Sequence, residues 1–111
     1  MKPKLLFKKD QYRSARGGYS RLLNLHRRKC GHVFAVYQKD GPGNLRRLYL
    51  DRILQPKEML GLQKKKIDSI KPLKCKCGFL IGIPGTYPKE KRKVFMVFQD
   101  AIVKKIKKLN D

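Results

Sequence analysis

Two stretches of the chain carry the same order of apolar and polar positions. In the first, an apolar run from Val33 to Tyr37 leads into the breaker cluster Asp40-Gly41-Pro42-Gly43. A second run, Leu45 to Leu54, follows and partly alternates with Arg46, Arg47 and Arg52. Two strand-like runs around a Gly/Pro turn predict a β-hairpin, here placed at 30–54. In the second stretch, the run FLIGI leads to a Pro/Gly/Tyr region, a basic cluster (Lys89, Lys91, Arg92, Lys93) and a run from Val94 to Phe98, which predicts a second hairpin over 75–99. The residues between, 55–72, begin and end near prolines and scatter Met59, Leu60, Leu62, Ile67 and Ile70 among lysines. Proline suits a first helical turn, so a short helix from Pro56 is conceivable there, and Gly61 counts against it.

The tail reads differently. Ile102, Val103, Ile106 and Leu109 fall on one helical face, Asp100 suits an N-cap, and lysines gather toward the end, where the helix dipole is negative. A C-terminal helix over 100–109 is therefore expected, and at that length it has to dock on the sheet to persist. Residues 1–25 read as a basic N-terminal arm ahead of a single domain at 26–111, and within them YRSARGGYSR (12–21) shows neither strand alternation nor a helical face.

The two hairpins are in register as a repeat. Cys30-Gly31 aligns with Cys77-Gly78, and the same offset places Leu48 on Phe95 and Leu50 on Val97. Two copies are too few for a solenoid. The expected fold is mainly β with a C-terminal α-helix, its two hairpins packed about a pseudo-twofold axis with their Cys-Gly corners adjacent.

Charge narrows the function. The chain has 111 residues, one domain's worth, with 29 Lys and Arg against 8 Asp and Glu, a net charge of +21. Surface ion-pair networks enrich Lys and Glu together, whereas Glu58 and Glu90 are the only glutamates here. The excess therefore lacks partners within the chain and calls for a polyanion. The basic residues are spread along the chain and are not gathered on one amphipathic helix, which favours nucleic acid over a membrane surface. No apolar run approaches a membrane span and the start, MKPKLLFKKD, lacks a signal-peptide pattern, so a cytoplasmic protein is expected.

RNA is favoured over DNA, because no helix-turn-helix or long basic helix is available for a major groove, while an Arg/Tyr/Gly arm suits irregular folded RNA. A ribosomal or ribosome-associated role is the sharpest version. A DNA-binding chromatin or transcription protein, and an adaptor for an acidic protein surface, are the alternatives. Candidate phosphate contacts are Arg13, Arg16, Arg21, Arg27, Arg28, Lys29, Arg46, Arg47, Lys64, Lys65, Lys66, Lys91, Arg92 and Lys93, with Tyr12, Tyr19, Tyr37 and Tyr87 as stacking groups.

All three cysteines lie in HRRKCGH (26–32) and LKCKCGF (73–79). A Cys followed by Gly at a hairpin corner has the shape of a zinc knuckle: the thiolate binds metal and Gly lets the backbone turn. Here the chain resembles zinc-ribbon-type nucleic-acid-binding proteins, over 26–54 and 73–99. The resemblance implies one structural zinc held between two knuckles. The pattern departs from the ribbon's two-residue gap, since Arg27 stands where a second Cys of the first knuckle would be and Cys75-Lys76-Cys77 leaves a one-residue gap. The chain can supply Cys30, Cys75, Cys77 and either His32 or His26. His32 is preferred, because Cys30-Gly31-His32 mirrors the spacing of Cys75-Lys76-Cys77. Buried free thiols and a disulfide are the competing readings. Four protein ligands leave no position for a reactive water, and there are no paired carboxylates, no P-loop and no Ser/His/Asp order elsewhere, so no enzymatic activity is expected.

Overall fold

The computed structural model describes residues 7–41 and 45–107. Eight strands form two antiparallel four-stranded sheets: β1 (Ser20–Arg27), β2 (Val33–Asp40), β4 (Ile53–Gln55) and β8 (Ile102–Ile106) in the order β4-β2-β1-β8, and β3 (Arg47–Tyr49), β5 (Leu73–Lys74), β6 (Leu80–Tyr87) and β7 (Arg92–Val97) in the order β3-β7-β6-β5. The apolar core joins both sheets: Leu23, Leu25, Ala35, Tyr37, Ile53 and Ile102 come from the first, and Leu48, Leu73, Ile81 and Phe95 from the second. Among the described residues, no helix is long and apolar enough to cross a membrane.

The expected C-terminal helix is not what forms. Gln99–Ala101 makes a single 3₁₀ turn, and Ile102–Ile106 pairs with β1, from Arg27↔Ile102 to Leu23↔Ile106. Two forces favour the strand. Ile102, Val103 and Ile106 are β-branched, which suits a pleated surface better than a helix. Strand β1 would otherwise leave one edge with unmade backbone hydrogen bonds beside buried Leu23 and Leu25. Leu109, the last member of the expected apolar face, lies outside the described residues.

The first hairpin also forms differently. Val33–Asp40 pairs with Ser20–Arg27, so the hairpin turns at 28–32, and one of the two inner strands of the first sheet comes mostly from the segment expected as an arm. The run 45–54 is divided: β3 joins the second sheet, a 3₁₀ turn at Leu50–Arg52 crosses over, and β4 returns to pair Val36↔Gln55 and Tyr37↔Ile53. The break is readable in burial, since Leu50, Arg52 and Ile53 are all buried and a straight strand cannot point them to one side. The second stretch forms one hairpin, β6 with β7, from Gly82↔Val97 to Tyr87↔Arg92. Leu48 and Phe95, aligned by the repeat, face each other directly in the β3–β7 ladder, and both are buried. Elsewhere the halves diverge, because β7 is continuous where the first half is broken into β3 and β4. Between β4 and β5 there are three 3₁₀ turns, with Gly61 at φ 82, in place of a helix.

The N-terminal residues are held against this framework. Asp10 caps α1 (Gln11–Ala15), accepting from the Tyr12 and Arg13 N–H groups at 3.1 and 3.2 Å. The Lys8 N–H donates to Gln38 Oε1 at 2.7 Å, and Gln38 Nε2 donates back to the Lys8 carbonyl at 2.9 Å. Gly41, at the far end of β2, has φ 71, and a Cβ there would stand 2.6 Å from the Arg16 carbonyl oxygen, so only glycine lets the segments approach.

Beneath α1 lies a charged cluster. Arg52, only 1 % exposed, donates to Asp40 Oδ2 at 2.8 Å and to Asp10 Oδ1 at 2.5 Å. Arg92 donates to Asp51 Oδ1 at 2.7 Å, and Arg16 grips both oxygens of Glu90 at 2.5 and 3.0 Å. Burial opposes ionisation of Asp40, but bonds from Ser20, Arg52 and Gln38 outweigh it and hold the carboxyl below its usual range.

Candidate metal centre and basic surface

The two Cys-Gly corners are the tips of hairpins. At the first, the Arg27 N–H donates to the His32 carbonyl at 2.9 Å and the Gly31 N–H to the Arg27 carbonyl at 2.8 Å. At the second, the Cys75 N–H donates to the Phe79 carbonyl at 2.9 Å and the Gly78 N–H to the Cys75 carbonyl at 2.8 Å. Gly31 and Gly78 follow their cysteines at φ 72 and φ 90, and no atom lies within 4 Å of a Cβ built on either. What demands glycine at both tips is the left-handed backbone, not crowding.

The tips meet. Cys30 Sγ stands 3.3 Å from Cys75 Sγ and 4.0 Å from Cys77 Sγ, and all three sulfurs lie within 4.8 Å of one another. Three cysteines so close can hold a metal ion. His32 Nδ1 lies 3.8 Å from Cys75 Sγ, whereas His26 Nδ1 is turned 3.0 Å from the Gly31 carbonyl. Cys75 is buried, Cys30 half-buried and Cys77 exposed. The His32 N–H bonds the Cys30 sulfur and, against some burial and with help from Cys75, Arg27 and Cys77, pulls that thiol down to about 6. The Cys77 N–H acts likewise on Cys75, but burial and the shared bonds with Cys30 and Cys77 outweigh it and push that thiol up.

Comparison with protein-family models, with curated proteins and with solved structures found no match.

Around the tips, Arg27 is buried and lies over the Phe79 ring, 3.9 Å from its centroid, which joins the two hairpins. Arg28 donates to the Asp100 and Ile102 carbonyls at 2.8 and 3.2 Å, fastening the first tip to the turn before β8. Phe79 is exposed on the second tip and was not singled out by its sequence.

The remaining residues proposed for nucleic acid divide sharply. Tyr37 is buried, and its hydroxyl accepts from the Tyr49 N–H at 2.9 Å, so its ring has no face free to stack on a base. Burial pushes its phenol up. Arg92 is buried between the rings of Tyr12 and Tyr49, 4.1 and 3.7 Å from their centroids, which also occupies one face of Tyr12. Arg47 covers Tyr87 at 4.1 Å, and Arg16 is engaged with Glu90 and with the Tyr49 hydroxyl. Arg13 donates to Ser20 Oγ at 2.9 Å, and Lys93 Nζ to the Gln63 and Lys65 carbonyls. Tyr19, Arg21, Lys29, Arg46, Lys64, Lys65, Lys66 and Lys91 are exposed.

The structure adds cations that the sequence did not rank. Lys39 faces Arg21 across β1 and β2, and Lys104 and Lys105 are exposed on β8. Burial pushes Lys39 down, and Lys104, Arg21 and Arg16 add to the effect against Asp40. The signal that could have found this group is strand pairing, and it depends on reading 102–106 as a strand.

Proposed function

We propose that this is a non-enzymatic nucleic-acid-binding protein that takes structured RNA, with a ribosomal or ribosome-associated role and a structural zinc ion. The observation that carries the reading is where the acids lie. Asp10, Asp40, Asp51 and Glu90 are all committed to Arg16, Arg52 and Arg92. That cluster nearly cancels itself, so the net charge of +21 falls almost wholly on the rest of the molecule, where Glu58, Asp68 and Asp100 are the only other acids among the described residues. A surface of that kind is matched by a phosphate backbone.

Zinc suits the thiolate cluster. Zn–S bonds of about 2.3 Å and Zn–N bonds of about 2.0 Å place tetrahedral ligands roughly 3.8 Å apart for two sulfurs and roughly 3.5 Å for sulfur and nitrogen. The sulfur separations of 3.3 and 4.0 Å bracket the first edge, while His32 Nδ1, 3.8 Å from Cys75 Sγ and outside the three-thiol cluster, would have to close in to complete the set. Cys30, Cys75, Cys77 and His32 would hold the ion, which would pin the two hairpin tips and supply no reactive position. Cytoplasmic thiols would stay reduced and available to it.

The test is a binding titration against structured RNA, single-stranded RNA and duplex DNA over a range of salt. Every phosphate-bound partner loses affinity linearly in log salt, so the informative quantity is the preference that survives at high salt. Structured RNA is expected to keep the highest affinity. A surviving preference for duplex DNA would overturn the RNA reading, and equal loss on all three would leave only non-specific polyanion binding.

A further inference from the structure

Beside Asp40, at the end of β2, the structure holds a cavity of about 220 Å³. Its wall carries five cations, Arg16, Lys39, Arg46, Arg47 and Arg52, and one carboxylate, Asp40. That carboxylate is already satisfied: Oδ1 accepts from Ser20 and Gln38, and Oδ2 from Arg52. The cations are less so. Arg52 is 1 % exposed, yet its Nη1 has no hydrogen-bond partner, the nearest carboxylate oxygen being Asp51 Oδ2 at 4.0 Å. Arg47 Nε is buried without a partner as well. Arg46 is exposed and makes no hydrogen bond or ion pair with the described residues.

Buried donors without acceptors are costly, and charged ones most of all. Arg47 and Arg52 both line this one cavity, whose five cations face a single carboxylate that is already satisfied, and Arg46 on the same wall has no acceptor among the described residues. We infer that this cavity is a binding site for a phosphoryl group. A phosphate offers several acceptor oxygens and up to two negative charges, enough to engage the unpaired charge of Arg46 together with the Arg47 and Arg52 guanidiniums of the same wall. A carboxylate has fewer oxygens and one charge, and Asp40 already shows what a carboxylate does there. Phosphate recognition depends on the cavity alone, and the RNA reading bears only on the source: a nucleic-acid phosphate or a small phosphorylated metabolite.

The experiment is calorimetric titration of the full metal-loaded chain with inorganic phosphate, against sodium chloride at matched ionic strength. Phosphate is expected to bind saturably. Arg47→Ala is expected to weaken it roughly 10–100-fold, the range for hydrogen bonds to charged groups. Arg47 also covers Tyr87, so Arg46→Ala is the companion variant, with no hydrogen bond or ion pair to the described residues to lose and an expected loss of about tenfold. Lys57→Ala, exposed and outside the cavity wall, is expected to bind as wild type. Heat no different from chloride, or unchanged affinity in both arginine variants, overturns the site. Competition then assigns the source: a 5′-phosphorylated RNA oligomer displacing phosphate far better than its 5′-hydroxyl twin supports a terminal phosphate, equal displacement by both supports the backbone, and displacement only by a nucleoside monophosphate supports a metabolite. Phosphate binding that survives while all three nucleic acids fail to bind would sink the RNA reading and leave the site standing.

Discussion

Replacing Asp40 with Asn tests the charged cluster that underlies the functional reading. The side chain keeps its shape and loses its charge, so Arg52 remains buried with Asp10 as its only hydrogen-bonded carboxylate and Asp51 4.0 Å away. Removing one partner of a buried ion pair costs about 3–5 kcal/mol, because the surviving charge stays desolvated. Asp10 is 38 % exposed and still contacts Arg52, which places the expected loss near the lower limit, about 3 kcal/mol. Against a total stability of about 5–15 kcal/mol that is a large fraction. For a chain of this size it corresponds to a fall in Tm of roughly 10–15 °C. Thermal and urea denaturation followed by circular dichroism would measure it. The dependence on pH adds a second readout. The folded pKa of Asp40 is depressed, so its contribution is complete above the unfolded value, about 3.9, and is lost as pH falls through the folded value. The gap between wild type and Asp40→Asn should therefore be full at pH 7 and close in acid below about pH 4. A loss under about 0.5 kcal/mol at pH 7, the size of an ordinary surface substitution, would refute the view that Arg52 and its acids are a structural unit withdrawn from the surface.

Two further substitutions test the other assignments. Cys75→Ser is expected to abolish bound metal, measured by mass spectrometry, and to lower stability by more than about 3 kcal/mol, since structural zinc contributes on the order of 10 kcal/mol of apparent binding free energy in small domains. A chelator should reproduce the loss in wild type and leave the variant unchanged; equal stability of all four samples would remove the metal from the account. Tyr37→Phe deletes the acceptor of the buried Tyr49 N–H and should cost about 1–3 kcal/mol in urea denaturation, with RNA affinity unchanged. A stable variant with impaired RNA binding would contradict its buried role.

The meeting of the three cysteines was legible in part from the sequence because its signal is local. Cys30-Gly31-His32 and Cys75-Lys76-Cys77 each need one short turn, and Gly31 and Gly78 mark where the backbone enters the left-handed region. Which arginines and tyrosines stay exposed was less legible. Arg16, Arg92 and Tyr37 have the same composition signal as exposed Arg21 and Tyr19, and the residues that engage Arg16 and Arg92, Glu90 and Asp51, lie 74 and 41 positions away. Phe79 was read as the start of an apolar run, although its neighbour Gly78 ends the knuckle and leaves the ring outside.

By itself the sequence determined the quantities that need no partner: the positive excess, the prevalence of β-branched and aromatic runs, and the turns at the Cys-Gly pairs. Tertiary structure alone decided which edges those runs would meet. Ile102–Ile106 became a strand because β1 had an open edge, and β1 lay in the segment expected as an arm. It also decided which cations face outward, because an arginine is withdrawn only when distant acids converge on it. Both outcomes rest on contacts between residues far apart in the chain, and their free energy exists only once the sheets have closed on one another.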